Sequence, residues 1–182
     1  MNFDEQAFLA LHRLLAPATP LFAAVTWLGN GWVQAALVAP LMFFFSRNRF
    51  RTHFAALVLS CAVSALPVSL LKIAVDRARP PSHFREQGVT IHVSGGEPGD
   101  ASFPSGHTQT AFATATFLAL LYPPLSVPLM SAALLTGLSR IALGVHFPAD
   151  VLVGAMIGMA GGAAGFLVNR RRLIRQGTAA GS

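Results

Sequence analysis

Apolar runs near the ~20 residues that a helix needs to cross the hydrocarbon core of a bilayer recur along this chain, at 21–45, 54–75, 105–122, 125–143 and 149–168. Lipid offers no partner to backbone N–H and C=O groups. A run of this kind therefore closes its own hydrogen bonds as a helix. The composition agrees: 53% of residues are hydrophobic and 11% charged, against about 25% charged in a soluble domain. The fold class is all-α, an integral-membrane helical bundle of about five spans. Residues 3–15 add an N-terminal interfacial amphipathic helix, with Phe3, Ala7, Phe8, Leu11, Leu14 and Leu15 on one face. Pro17 and Pro20 end it. Gly29-Asn30-Gly31 and Pro40 are weak points of the first run, which begins late, near Trp27 or Trp32. Residues 1–176 form one membrane-embedded domain, and 177–182 read as a disordered tail.

The net charge is +6, but the arginines form no stripe suited to nucleic acid. They cluster at Arg47, Arg49 and Arg51 and at Arg170, Arg171, Arg172 and Arg175, each time at the end of an apolar run. Cytoplasmic loops carry such clusters, which puts the C-terminus in the cytoplasm. Alternating the spans from there brings Lys72 to Arg79, Ser105 to His107, Ser139-Arg140 and His146 to Asp150 to the opposite side of the membrane. The single cysteine, Cys61, lies inside an apolar run and reads as a buried hydrophobe. Asp4 and Glu5 stand where a cleavable signal would carry basic residues. The long connection 80–104 has the size of a lid or binding loop, and equally of a plain connector. Gly154, Gly158 and Gly162 repeat at helical spacing and allow close helix packing, inside the bundle first and in a dimer second.

Three polar fragments converge on that one side. In the first, Lys72 and Arg79 lie about two helical turns apart and share a face if the helix continues that far; a snorkelling anchor is the structural alternative. In the second, Pro104-Ser105-Gly106-His107 opens a helix, whose first N–H groups and dipole form an anion site. His107 can carry a proton there; alone, it also fits a purely structural helix start. In the third, Arg140 offers a planar fork for phosphate oxygens, and Asp150 stands one turn after His146. A carboxylate there orients the imidazole and frees its other nitrogen to attack; capping of the helix is the alternative. Together the fragments suit a phosphate: one histidine as nucleophile, the other as proton donor, the cations stabilising the transferring phosphoryl group. The carboxylates are too scattered for a two-metal centre, and the cations supply the positive charge, so neither metal nor other cofactor is expected.

These residues resemble the type 2 phosphatidic-acid phosphatase family, which belongs to a superfamily with the vanadium-dependent haloperoxidases. Its three-part signature, K-x6-RP, PSGH and SR-x5-H-x3-D, reads here as Lys72 to Pro80, Pro104 to His107 and Ser139 to Asp150, in order and without substitution. The resemblance implies that Lys72, Arg79 and Arg140 bind the phosphate, with the Ser105 hydroxyl and the Gly106 N–H. It implies His107 as general acid, His146 as the nucleophile that becomes a phosphohistidine, and Asp150 as its orienter. It implies a metal-independent enzyme of the bacterial inner membrane, its site facing the periplasm, its partners the bilayer and a lipid phosphate. Integral members usually have six spans, one more than counted here. Among substrates undecaprenyl pyrophosphate leads, with phosphatidylglycerol phosphate, phosphatidic acid and lipid A 1-phosphate as alternatives. Vanadate-dependent halide oxidation and a non-enzymatic scaffold are the remote ones. The oligomeric state is not legible.

Overall fold

The computed structural model describes residues 1–94, 99 and 101–179. Its helices are α1 (Phe3–Leu15), α2 (Thr19–Val25), α3 (Gly31–Phe45), α4 (Phe50–Val75), α5 (Pro80–Arg85), α6 (Gly106–Leu121), α7 (Ser126–Ala142) and α8 (Pro148–Ala179), joined in places by single 3-10 turns. No strand occurs among the described residues. The chain is an all-helical integral membrane protein, with α3, α4, α6, α7 and α8 running between its two ends.

The first apolar run does not form one helix. Asn30 takes an extended conformation, and its side chain accepts from the N–H groups of Trp32 and Val33. That cap starts α3 afresh, so the span begins at Gly31, late as the two tryptophans suggested. The stretch Phe3–Gly29 is itself long and apolar enough to cross a membrane, yet both of its ends contact the same end of the bundle. Asp4 accepts from the Ala149 N–H at 2.9 Å, and Gly29 lies against the His107 side chain. The segment therefore lies over that end. It is more than an interfacial anchor: Phe8 is fully buried against Phe84, Ile141 and Phe147.

Helix α6 is the most buried of the bundle, and α8 packs along it and along α4. Any Cβ on Gly154, Gly158 or Gly162 would strike a carbonyl oxygen of α6 or its N-cap, at Ser105, Gln109 and Ala113 respectively. On its other side Gly161 and Gly165 abut Ser64 and Ser60 of α4. The glycine pattern is thus spent on packing within one chain, between α4 and α6. Hydroxyls bridge the resulting contact: Ser60 donates to the Gly161 carbonyl at 2.6 Å, and Gln109 to Ser64 at 2.6 Å. At the arginine-rich end, Asn169 of α8 and His53 of α4 pair at 2.7 Å, both buried.

Candidate active site

The opposite end gathers the polar residues. Helix α4 does not continue to Arg79. Asp76 takes a left-handed conformation, φ 43°, and ends the helix. Lys72 and Arg79 therefore do not share a helical face; the turn after Asp76 redirects the chain, and Pro80 opens α5. Arg79 is carried instead into the turn between α7 and α8. Its Nη1 donates to the Val145 carbonyl at 2.7 Å and lies 3.2 Å from His146 Nε2. The Lys72 ammonium donates to the Ala101 carbonyl, beside Ser102.

His146 sits in that turn, 2% exposed. The turn closes on Gly144, whose φ of 76° and lack of a Cβ let the His92 carbonyl approach. The His146 N–H bonds to the Arg140 carbonyl at 3.3 Å, which ties it to α7. On the far side of the ring, Nδ1 lies 3.5 Å from both Asp150 Oδ2 and Ser102 Oγ. Asp150 is fully buried. Its Oδ2 accepts from Ser102 Oγ at 2.5 Å and from the Phe147 N–H at 2.9 Å. The second bond is half of a capping box for α8. The cap on α8 and the approach to the His146 ring, which the sequence left as alternatives, coexist in one carboxylate.

The PSGH fragment meets the same group. The Ser105 N–H donates to the Asp150 carbonyl at 3.0 Å, and its hydroxyl caps α6 by accepting from Thr108. Gly106 opens the helix with nothing near its missing Cβ, so there is open space at the helix N-terminus. His107 follows, partly buried, with Gly29 packed against it. Arg140, 8% exposed, donates to Thr26 Oγ1 at 2.6 Å.

Two guanidinium groups, an ammonium, a helix N-terminus and an imidazole with one nitrogen turned to a carboxylate converge on one end of a membrane bundle. Comparison with known proteins shows the family. The family model of the PAP2 superfamily matches residues 53–174. The chain belongs to the PAP2 superfamily. Among curated relatives, the Rhizobium johnstonii lipid A 1-phosphatase is 37% identical over 57% of this chain and 43% of its own length. The Bacillus subtilis undecaprenyl-diphosphatase BcrC is 29% identical over 84% of this chain and 76% of its own. The chain spans less than half the length of the lipid A 1-phosphatases of the two Rhizobium species that it matches. The crystal structure of a transmembrane PAP2-type phosphatidylglycerolphosphate phosphatase from Bacillus subtilis superposes with a TM-score of 0.74. The match covers 92% of this chain and 85% of that one at 23% identity, a likeness of fold.

Within the PAP2 frame, two neighbours of the signature were not singled out by sequence. Ser102 lies two residues before the PSGH segment and Arg77 two before Arg79; both bond to Asp150. Serine beside a cis Phe103-Pro104 bond and arginine within a motif's variable positions look unremarkable until the fold brings Asp150 to them. The loop 80–104 contributes through Phe84, buried on Phe8 and Phe147, and through Ser102; residues 95–98 and 100 fall outside the described residues. Among the described residues there is no cluster of three or more metal-ligating side chains.

Burial pushes the His146 imidazole down to about 4; Arg79 and Arg140 push the same way, and the hydrogen bond to Asp150 opposes them. An unfolded chain would protonate this ring near about 6.5. Between those values the unfolded state holds more protons, so acid favours unfolding. Thermal unfolding followed from pH 7 to pH 4 should show stability falling as pH drops through this window. His146→Gln, which has no imidazole to charge, should flatten the fall.

Proposed function

We propose that this protein is a phosphatase of the inner membrane that removes phosphate from a lipid phosphate or diphosphate through a phosphohistidine at His146. The reading is carried by the placement of His146: Nδ1 towards Asp150, and Nε2 within 3.2 Å of a buried arginine. With the proton on Nδ1, the Nε2 lone pair accepts from Arg79 Nη1; an anion held by Arg79, Arg140, Lys72 and the start of α6 takes over that N–H and frees the lone pair to attack. Nε2 attacks phosphorus, the N–P bond forms, and the P–O bond to the lipid breaks. His107 supplies the proton that the departing oxygen takes. Water then attacks the phosphohistidine, giving its proton to His107 and releasing phosphate, which restores both histidines.

A crevice of about 460 Å³ between α3, α4 and α6 supports a lipid substrate. It begins at Asn30, next to the glycine that packs on His107, and runs between Val38, Phe54 and Leu57. An apolar chain lying there would bring its phosphate to the site from within the membrane. The active site faces the periplasm and the arginine-rich end faces the cytoplasm.

Undecaprenyl pyrophosphate leads among substrates, because the resemblance to the undecaprenyl-diphosphatase extends over most of both chains. Lipid A 1-phosphate is the second reading, from the higher identity to a lipid A 1-phosphatase over a shorter stretch. Phosphate release by the purified protein should be compared across undecaprenyl pyrophosphate, lipid A, phosphatidylglycerol phosphate and phosphatidic acid. Fastest release from the first is expected. Fastest release from lipid A would transfer the assignment, and no release from any would reject the phosphatase reading.

The proton donor has its own signature. His107→Ala should slow an alkyl phosphate about 100-fold or more, but an aryl phosphate with an acidic leaving group far less. Equal losses on both would remove His107 from that role.

A further inference from the structure

His146 and Ser102 contact only one side of Asp150. Its Oδ1 accepts from Arg77 Nη1 at 2.8 Å. The other arm of the same guanidinium, Nη2, donates to Asp4 Oδ2 at 2.7 Å. Its Cζ lies 3.9 Å from the centroid of the Phe147 ring. The fork is thus held by two carboxylates and an aromatic face. Asp4 in turn uses Oδ1 to accept from the Ala149 N–H in the first turn of α8 at 2.9 Å. One carboxylate of α1 therefore grips both the helix that carries Asp150 and the arginine that fixes its rotation.

Helix α1 is itself immobilised against this end. An Asn2–Glu5 capping box sets its first turn, where Asp4 lies. Phe8 is buried between Phe84 and Phe147. His12 Nδ1 donates to the Ile141 carbonyl at 3.1 Å, and Glu5 meets His83 of α5 at 3.2 Å. We infer that Asp4 and Arg77 are positioning residues: through them the N-terminal helix sets the orientation of Asp150 and hence of His146. The inference rests on the nucleophilic role proposed for His146. Asp4 and Arg77 are about a fifth and a quarter exposed, and ion pairs so wetted add little stability. A planar bidentate fork adds geometry instead. Loss of that geometry acts on the chemical step rather than on substrate binding. The other charged groups around the imidazole are Arg79 and Arg140, from the remaining walls of the site.

The test compares Arg77→Met, Arg77→Lys, Asp4→Asn and Asp4→Glu in the purified full chain in detergent micelles, with undecaprenyl pyrophosphate as substrate. It also follows the imidazole nitrogens by NMR of 15N-histidine-labelled protein. Arg77→Met should lower kcat by between about 10-fold and 100-fold with little change in KM. It should also raise the His146 titration midpoint by about one pH unit, because Asp150 then faces the ring without its cation. Asp4→Asn should give a smaller loss in the same direction. Arg77→Lys should fail to rescue, and Asp4→Glu should rescue in part. An unchanged kcat overturns the inference. So does a loss that merely follows the folded fraction while the His146 titration stays in place. If Arg77→Met does not fold, Asp4→Asn decides by the same two readouts. A wild-type protein that releases no phosphate counts against the function proposed above, while the titration still judges the clamp.

Discussion

Phosphate release by His146→Ala is expected to fall by on the order of 10⁵-fold, to the level set by binding and electrostatics alone, since removal of the nucleophile from a cooperating set costs about as much as removal of the whole set. The loss should appear in kcat. The cations and the start of α6 remain to hold the phosphate. A second observation separates chemistry from folding. Wild-type protein mixed with a lipid phosphate labelled in its phosphorus and quenched in base should retain label on the polypeptide, in an adduct stable to alkali and labile to acid. His146→Ala should retain none, while its helical circular dichroism stays intact. Residual activity within about tenfold of wild type would mean that another group attacks phosphorus. The buried ring also bridges Arg79 to Asp150, so His146→Gln, which keeps polar atoms in the gap, is the companion variant.

The second large effect concerns stability. Gly158→Val should cost about 3 kcal/mol and lower the unfolding midpoint in detergent by roughly 10 °C. A Cβ at this position would meet the Gln109 carbonyl, Phe112 Cβ and the Ala113 nitrogen. Two of those three are backbone atoms, which yield only if α6 and α8 separate. Gly31→Ala is the control: nothing lies within 4 Å of a Cβ there, and its midpoint should not move. An unchanged midpoint for Gly158→Val would show that α6 and α8 pack in some other register. Because α8 carries Asp150 at its start and α6 carries Ser105 and His107, activity should be lost together with stability.

Much of this was readable in the chain before folding. The apolar runs located α4, α6, α7 and α8, because lipid permits so few alternatives to a helix. The three fragments identified one end of the bundle as chemically special, since arginines mark the other end and the spans alternate. What escaped was tertiary or conformational. Lys72 and Arg79 have helical spacing, but the backbone turns left-handed at Asp76, a choice that aspartate tolerates and does not announce. The first run contains enough apolar residues for one span, yet the Asn30 side chain offers the backbone a cap within it. Arg77, Ser102 and Asp4 gain meaning only by meeting Asp150, from places far from it in the chain. The amphipathic pattern of α1 was legible. Its apolar face settles partly on Phe84 and Phe147 rather than wholly in lipid, and periodicity cannot tell the two environments apart.

Helix α3 forms one wall of the crevice through Trp32, Ala35 and Val38, while Leu37, Phe44 and Phe45 point outward. It contributes none of the residues proposed to handle the phosphate, which come from α4 onwards. On the proposed reading, preference for long or short, branched or straight hydrocarbon tails drifts by replacements along this single wall, with the proposed hydrolytic residues unchanged.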